Sequence, residues 1–183
     1  MKKNTTLKLA LLTAALIVLP AAHAATMTKA DYESTKARIK ADYKSDKMAC
    51  DSRSGNAKDV CIEEGKAKEK VAMAELEYGY SGKASDHNSV LVAEAESRYA
   101  VAKERCNDLA GNPKDVCVEK AKAAEVKALA DAKLGKQIGE ARKDAASDKR
   151  DADYKLAIEK CDALAGEAKS GCIASAKMTY GKN

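Results

Sequence analysis

The sequence contains no tryptophan and no phenylalanine, and seven tyrosines are its only aromatic residues. Leucine, isoleucine and valine are also sparse. A core built from large side chains is therefore excluded, because aromatic and branched aliphatic residues supply most of the buried area in ordinary domains. With only two prolines and abundant alanine, lysine and glutamate, the composition favours helices. We expect an all-α protein with a thin core that needs covalent support.

Histidine is almost absent, and only His87 lies outside the N-terminal segment described below. A structural zinc site takes four cysteine or histidine ligands with close spacing, and the sequence has no such cluster. It also lacks a Cys-x-x-Cys pair, a hydrolase elbow, a phosphate loop and a dinucleotide fingerprint. We therefore expect no catalytic residue, no metal and no cofactor, and the interpretation is that the chain is not an enzyme.

The N-terminus has the pattern of an export signal. Lys2, Lys3 and Lys8 precede an apolar run from Leu9 to Leu19, and an Ala-x-Ala site ends at Ala24. The run is too short to span a bilayer. We predict a signal peptide over 1–24, cleavage after Ala24 and a periplasmic mature chain without a membrane span, in a compartment where disulfides persist.

The predicted mature chain has no large excess of charge of either sign. Loss of three lysines with the signal lowers the basic residues from 33 to 30, against 28 acidic ones, which leaves a net charge of +2. Basic and acidic residues alternate without a basic cluster. This pattern is typical of solvated helix faces, so we expect no nucleic-acid partner.

Six cysteines form three pairs with the same spacing of eleven residues. The pairs are Cys50 with Cys61, Cys106 with Cys117, and Cys161 with Cys172. The surrounding sequence repeats with them at intervals of 56 and 55 residues, which indicates three copies of one structural unit. Six cysteines allow fifteen connectivities, and repetition favours the three local pairs.

A turn signal lies midway between the cysteines of each pair. These signals are Gly55-Asn56, Gly111-Asn112-Pro113 and Gly166. A continuous helix would separate the paired cysteines by about 16 Å, whereas a disulfide needs Cα atoms roughly 5.5 to 6 Å apart. The spacing therefore predicts a helical hairpin in which glycine ends the first helix, asparagine caps the second and Pro113 takes its first position.

Tyrosine accompanies each first cysteine. Tyr43, Tyr99 and Tyr154 each lie seven residues before it, on the apolar stripe of the helix. On the partner helix of the first unit, Tyr78 falls on the corresponding stripe. We predict that these tyrosines pack in the seam of each hairpin; stacking of a ligand on exposed tyrosines is the alternative.

The repeats divide the mature chain into three units. We predict hairpins over 25–79, 88–135 and 136–183, the last one truncated, with a linker over 80–87 that carries two glycines and an Asp/Ser cluster. The second connection, from Gly135 to Asp148, contains Gly139. It either separates two helices or stays helical and merges them into one rod.

The block from Cys106 to Cys117, Cys-Asn-Asp-Leu-Ala-Gly-Asn-Pro-Lys-Asp-Val-Cys, resembles tandem Cys-x10-Cys hairpins of periplasmic Ala/Lys/Glu-rich proteins of Gram-negative bacteria. Some of these are labelled TolA-like cell envelope proteins. The resemblance implies a non-catalytic structural or protein-interaction module with envelope proteins as partners, and self-association is a possibility. A stress-related binder or holdase chaperone is the alternative.

Overall fold

The computed structural model describes residues 27–182, which form five α-helices and no β-strand. The expected all-α architecture of stapled hairpins is confirmed. The helices are α1 Lys29–Ala49, α2 Gly55–Ser81, α3 Ala84–Arg105, α4 Gly111–Asp162 and α5 Gly166–Tyr180. A 3-10 turn follows α1 over Cys50–Ser52, and another follows α3 over Cys106–Asp108.

Each helix packs against the helices that precede and follow it in the chain. Short connections reverse the chain each time, so neighbouring helices run antiparallel. Few side chains are buried, and alanine and cysteine dominate among them: Cys50, Leu76, Val90, Ala93, Ala95, Cys106, Ala132, Cys161 and Ala176. Such small side chains bury little area, so the expectation of a thin core agrees with the structure.

The connection between α2 and α3 is shorter than the linker expected over 80–87. Helix α2 continues to Ser81 and α3 starts at Ala84, which leaves Gly82 and Lys83. Gly82 has φ +64°, and its N–H donates to the carbonyl oxygen of Tyr78 at 2.8 Å. The Ser81 hydroxyl donates to the Asp86 carboxylate across the turn. The Asp/Ser cluster therefore closes a tight turn instead of forming a linker.

Helix α4 is continuous for 52 residues and passes through the expected unit boundary at 135/136. Gly135 and Gly139 do not adopt positive φ, and alanine and lysine around them maintain the helix. The alternative of a merged rod is therefore the one observed. At 1.5 Å per residue the rod is about 78 Å long, and it joins the second and third stapled hairpins.

Helix α1 begins at a capping box that the sequence reasoning did not use. The Thr28 hydroxyl oxygen accepts from the backbone N–H of Asp31 at 3.1 Å, and the Asp31 carboxylate reaches back to the N–H of Thr28. The predicted signal peptide over 1–24 and the start of the first unit lie outside the described residues. Between residues 27 and 182, no helix is long and apolar enough to cross a membrane.

Candidate interaction surfaces

One disulfide joins the two helices of each of the three hairpins. The Cα atoms of the paired cysteines lie 5.7 Å apart for Cys50–Cys61, 5.7 Å for Cys106–Cys117 and 5.6 Å for Cys161–Cys172. The predicted local pairing is confirmed, and no cysteine of the described chain is free. Since the first cysteine of every pair is fully buried, each staple also contributes the innermost side chain of its hairpin.

The glycine of each hairpin turn occupies a different position from the expected one. Gly55, Gly111 and Gly166 have φ of +54°, +58° and +58°, which is the left-handed conformation. However, they stand at the start of the second helix. In the first two units the first helix has already ended at the cysteine, because a 3-10 turn and two extended residues follow it. The prediction that these glycines terminate the first helix was wrong.

The asparagines of the turns do not cap the second helix. Asn56 and Asn112 lie one residue inside it, and the caps Ser54 and Ala110 make no side-chain hydrogen bond. Pro113 is the third residue of α4 instead of the first. It is still within the first turn, where backbone N–H groups have no intrahelical partner. Because the glycine with positive φ is the first residue of the second helix, the asparagine and the proline lie further inside that helix than the sequence predicted.

An ion pair crosses two of the three turns at equivalent positions of the repeat. Lys58 Nζ lies 2.9 Å from Asp51 Oδ1, and Lys169 Nζ lies 3.0 Å from Asp162 Oδ1. The hydrogen bond from Lys58 lowers the pKa of Asp51 below its ordinary value. In the middle unit Asn107 replaces the aspartate and its amide donates to Glu104. The repeated acidic residue after the first cysteine thus ties the turn together.

The seam tyrosines Tyr43, Tyr99 and Tyr154 are half-buried. Tyr43 lies over Gly65 of α2, and Tyr154 meets Tyr180 of α5 edge-on with ring centroids 6.3 Å apart. Lys103 lies over the Tyr99 ring at 5.9 Å. The cross-helix contacts of Tyr43 and Tyr154 agree with the seam interpretation, whereas the Lys103 contact of Tyr99 lies within α3.

Tyr78 was expected on a seam and is instead exposed. Its ring meets the His87 ring edge-on across the turn between α2 and α3, with centroids 5.0 Å apart. Helix α2 packs against both α1 and α3, so its apolar residues are divided between two contacts and not all of them face α1. Leu76, two residues earlier, is the side chain that this part of α2 buries.

Helices α2 and α3 form a contact between repeat units that sequence reasoning missed. Lys70 Nζ pairs with Glu96 at 2.5 Å, and Arg105 pairs with Glu64 at 2.6 Å. The α3 residues Val90, Ala93, Ala95 and Ser97 are buried. The Ser97 hydroxyl is buried without a hydrogen-bond partner. Val90, Ala93 and Ser97 follow helical spacing along one side of α3, whereas Ala95 is rotated by about 140° from Val90, and this division was the available signal for a second packing face on this helix.

An open groove of about 690 Å³ runs between α2 and α3. Its floor is mostly apolar and its rim carries charges of both signs. The uncharged floor residues are Ala67, Val71, Ala72, Ser97, Val101 and Ala102, and the charged rim residues are Lys68, Glu75, Glu94, Arg98 and Arg105. A shallow apolar channel of this kind suits the side chains of an amphipathic segment better than an enclosed small molecule.

A second apolar surface lies along α4. We call it the outer face: Leu134, Ile138, Ala141, Ala145 and Ala152, all exposed. The exposed fraction is 55% for Leu134 and 44% for Ile138. The sequence reasoning divided this segment between two units and so overlooked it. The signal was apolar spacing that continues unbroken through Gly135 and Gly139.

The C-terminal end of α5 is fastened to α4 by Lys182, whose Nζ lies 2.6 Å from Asp151 Oδ1. This hydrogen bond lowers the pKa of Asp151 below its ordinary value. Together with the ring contact of Tyr154, it holds α5 alongside the last turns of α4. Residues 140–146 of α4 are all exposed, and the first turns of α3 share a pocket with Gly139 and Lys143 on one side of this stretch.

The described residues contain no group of three or more histidine, cysteine, aspartate or glutamate side chains that is suited to hold a metal ion. Comparison of the chain with protein-family models, with curated proteins and with solved structures found no match. The architecture that the chain itself defines is a row of disulfide-stapled helical hairpins with a long continuous helix. Its candidate sites are the groove between α2 and α3 and the outer face of α4.

Proposed function

We propose that the chain is a non-catalytic structural or protein-interaction module of the bacterial cell envelope, exported to the periplasm by the N-terminal segment. The observation that carries the proposal is the combination of three staples with a long helix whose apolar outer face is exposed. Staples that replace a core allow helices to present apolar surface without losing their fold. The resemblance of the cysteine block to periplasmic envelope proteins supports the same assignment.

The experiment has two parts. Expression of the full-length gene in a Gram-negative host should give an osmotic-shock fraction in which the mature chain begins at Ala25. The purified oxidised mature chain, immobilised as bait, should then retain a defined envelope protein at near-stoichiometric amounts. A cytoplasmic, uncleaved product, or a bait that retains nothing beyond a blank column, would contradict the proposal.

A holdase chaperone is the second candidate, and the groove between α2 and α3 is the observation that favours it. The groove is open to solvent, with Val71 and Val101 partly exposed in it, and Glu94 and Arg98 form an ion pair at its rim. Suppression of client aggregation at low molar ratio, lost in Val101→Glu, would support a holdase. No suppression even at a large excess would remove this candidate.

A further inference from the structure

The side of α4 that packs against α3 and α5 is the same throughout the helix. Ala132, which is buried in the α3-facing half, and Cys161, which is bonded to α5, lie 29 residues apart. This separation is about eight turns at 3.6 residues per turn, so both point in nearly the same direction. Both neighbouring helices therefore lie on one side of the rod.

The outer face occupies the opposite side. Leu134 follows Ala132 by two residues and is rotated away from it by about 200°. The exposed positions 134, 138, 141, 145 and 152 recur with spacings of four, three, four and seven. That is the heptad spacing of a coiled-coil seam, with Ile138, Ala145 and Ala152 at a positions and Leu134 and Ala141 at d positions. The seam has no partner helix in the described chain.

The residues that flank this seam carry opposite charges on its two sides. At the g positions stand Gln137, Asp144 and Asp151, and at the e positions stand Gly135, Arg142 and Lys149. Arg142, Asp144 and Lys149 form no ion pair with any residue between 27 and 182. They are therefore available to a partner on the outer face.

The charge pattern selects both the partner and its direction. In a parallel coiled coil, each g residue meets the e residue five positions later on the other helix. For two copies of α4 this places Asp144 beside Lys149 of the other copy and Gln137 beside Arg142 of the other copy. Each of these pairs occurs twice because the dimer is symmetric. In an antiparallel pair, g faces g and e faces e, so acid would meet acid and base would meet base.

We propose that a second copy of this chain packs in parallel and in register against the outer face of α4, over residues 134–152. The proposal rests on the interaction function above and gives it a definite partner. Ala141 and Ala145 permit close approach of the two helices, while Leu134 and Ile138 supply the larger contacts. Asp148 occupies the d position between Ala145 and Ala152, where it faces the same carboxylate of the other copy, so it weakens the C-terminal part of the seam and makes the association a concentration-dependent equilibrium.

Sedimentation of the oxidised chain, residues 25–183, at several concentrations and low ionic strength tests the proposal. We expect a monomer–dimer equilibrium that Ile138→Lys abolishes and that the control Met178→Lys leaves unchanged. Met178 is an exposed residue of α5 outside the outer face. Because Ile138 is already 44% exposed, the lysine carries little folding cost, and circular dichroism should show unchanged helicity.

A charge exchange tests the direction of the pair. Asp144→Lys and Lys149→Asp should each weaken dimerisation by about tenfold, since each places like charges together at two symmetric sites. The double variant exchanges the two charges, restores opposite pairing in a parallel dimer and should recover the original dissociation constant to within about twofold.

Three results would overturn the inference. They are a monomer at every concentration, a dimer that survives Ile138→Lys, and a dimer that the double charge variant fails to restore. None of them touches the broader interaction function, because the same monomeric bait would still retain another envelope protein. Conversely, a self-associating chain that is not exported would support the dimer and contradict the envelope assignment.

Discussion

Tyr43 and Gly65 face each other across the first hairpin, and a Cβ built on Gly65 would come within 3.6 Å of the Tyr43 ring. The spacing of the repeat places Ala121 and Ala176 at the equivalent positions of the other two units. The smallest side chains of the partner helix thus recur opposite the tyrosine positions. Small opposite large is the packing rule that lets helices approach closely around a thin core.

The tyrosines should contribute moderately to stability. Tyr43→Ala and Tyr154→Ala are each expected to lower the free energy of unfolding by ~1 to 2 kcal/mol, because each side chain is partly removed from water. Urea unfolding followed by circular dichroism measures the change. The exposed Met178 of α5 gives the control Met178→Ala. If Tyr154→Ala lowers the free energy of unfolding by less than about half a kcal/mol, the ring is not packed in the seam and the ligand-stacking hypothesis is favoured.

Two glycine substitutions should have opposite signs. Gly111 has φ +58°, so Gly111→Ala forces a side chain into the left-handed region and should destabilise by ~1 to 2 kcal/mol. Gly139 lies inside α4, and a Cβ there meets no atom within 4 Å. Gly139→Ala should therefore stabilise by ~0.5 to 1 kcal/mol. Thermal melts of the two variants give the signs, and a destabilising Gly139→Ala would mean that α4 bends or breaks in solution.

Ser97→Ala should stabilise the protein by ~1 kcal/mol. The Ser97 hydroxyl is buried without a partner, and removing an unpaired buried polar group relieves its desolvation cost. Ser89 is the matched control on the same helix, since it is exposed and donates to the Ser85 carbonyl oxygen at 3.1 Å. Ser89→Ala should change the unfolding free energy by no more than about half a kcal/mol. If Ser97→Ala destabilises instead, a hydrogen bond to this hydroxyl must form in solution.

The ion pair at the first turn should appear in the titration of Asp51. The hydrogen bond from Lys58 lowers the pKa of Asp51 in the folded protein. Its contribution is therefore present above the unfolded pKa and is lost as the pH falls through the folded pKa. NMR titration of the carboxyl carbon should show a lowered pKa that returns to the ordinary value in Lys58→Met. An identical pKa of Asp51 in both proteins would show that Lys58 does not pair with Asp51 in solution.

The stapled hairpins could be predicted from sequence because their constraints are local. The eleven-residue spacing and the midway glycine leave one economical geometry for the pairs, and the structure confirms it for all three. The details at the turns were less accessible. A glycine at each turn was identified, but whether it ends one helix or begins the next depends on the 3-10 turn after the cysteine, which has no distinct residue signature.

Packing between the units was not predictable in the same way. The sequence at 80–87 has the composition of a loop, yet Ser81 and Asp86 bond to each other and close a two-residue turn. The opposite error arose around Gly139, where a helix-weakening residue was outweighed by good helix formers on both sides. Both outcomes depend on how neighbouring residues compensate a local signal, so composition alone cannot decide them.

We infer that disulfides take the place of a large core in this protein. Closing a loop of about a dozen residues contributes roughly 3 kcal/mol in the chain-entropy model, so three staples contribute up to ~9 kcal/mol, which is comparable to the whole stability of a domain. Replacing Cys106 and Cys117 with serine should loosen the middle hairpin and leave the outer disulfides intact. Each outer disulfide closes within its own hairpin, and repeat units contact only the adjacent units.

Circular dichroism melting of the mature chain, with and without a reductant, tests this claim most directly. We predict that reduction lowers both the helicity at 25 °C and the thermal midpoint sharply, since the buried residues are mostly alanine and cysteine. A melting curve that reduction leaves unchanged would contradict the account.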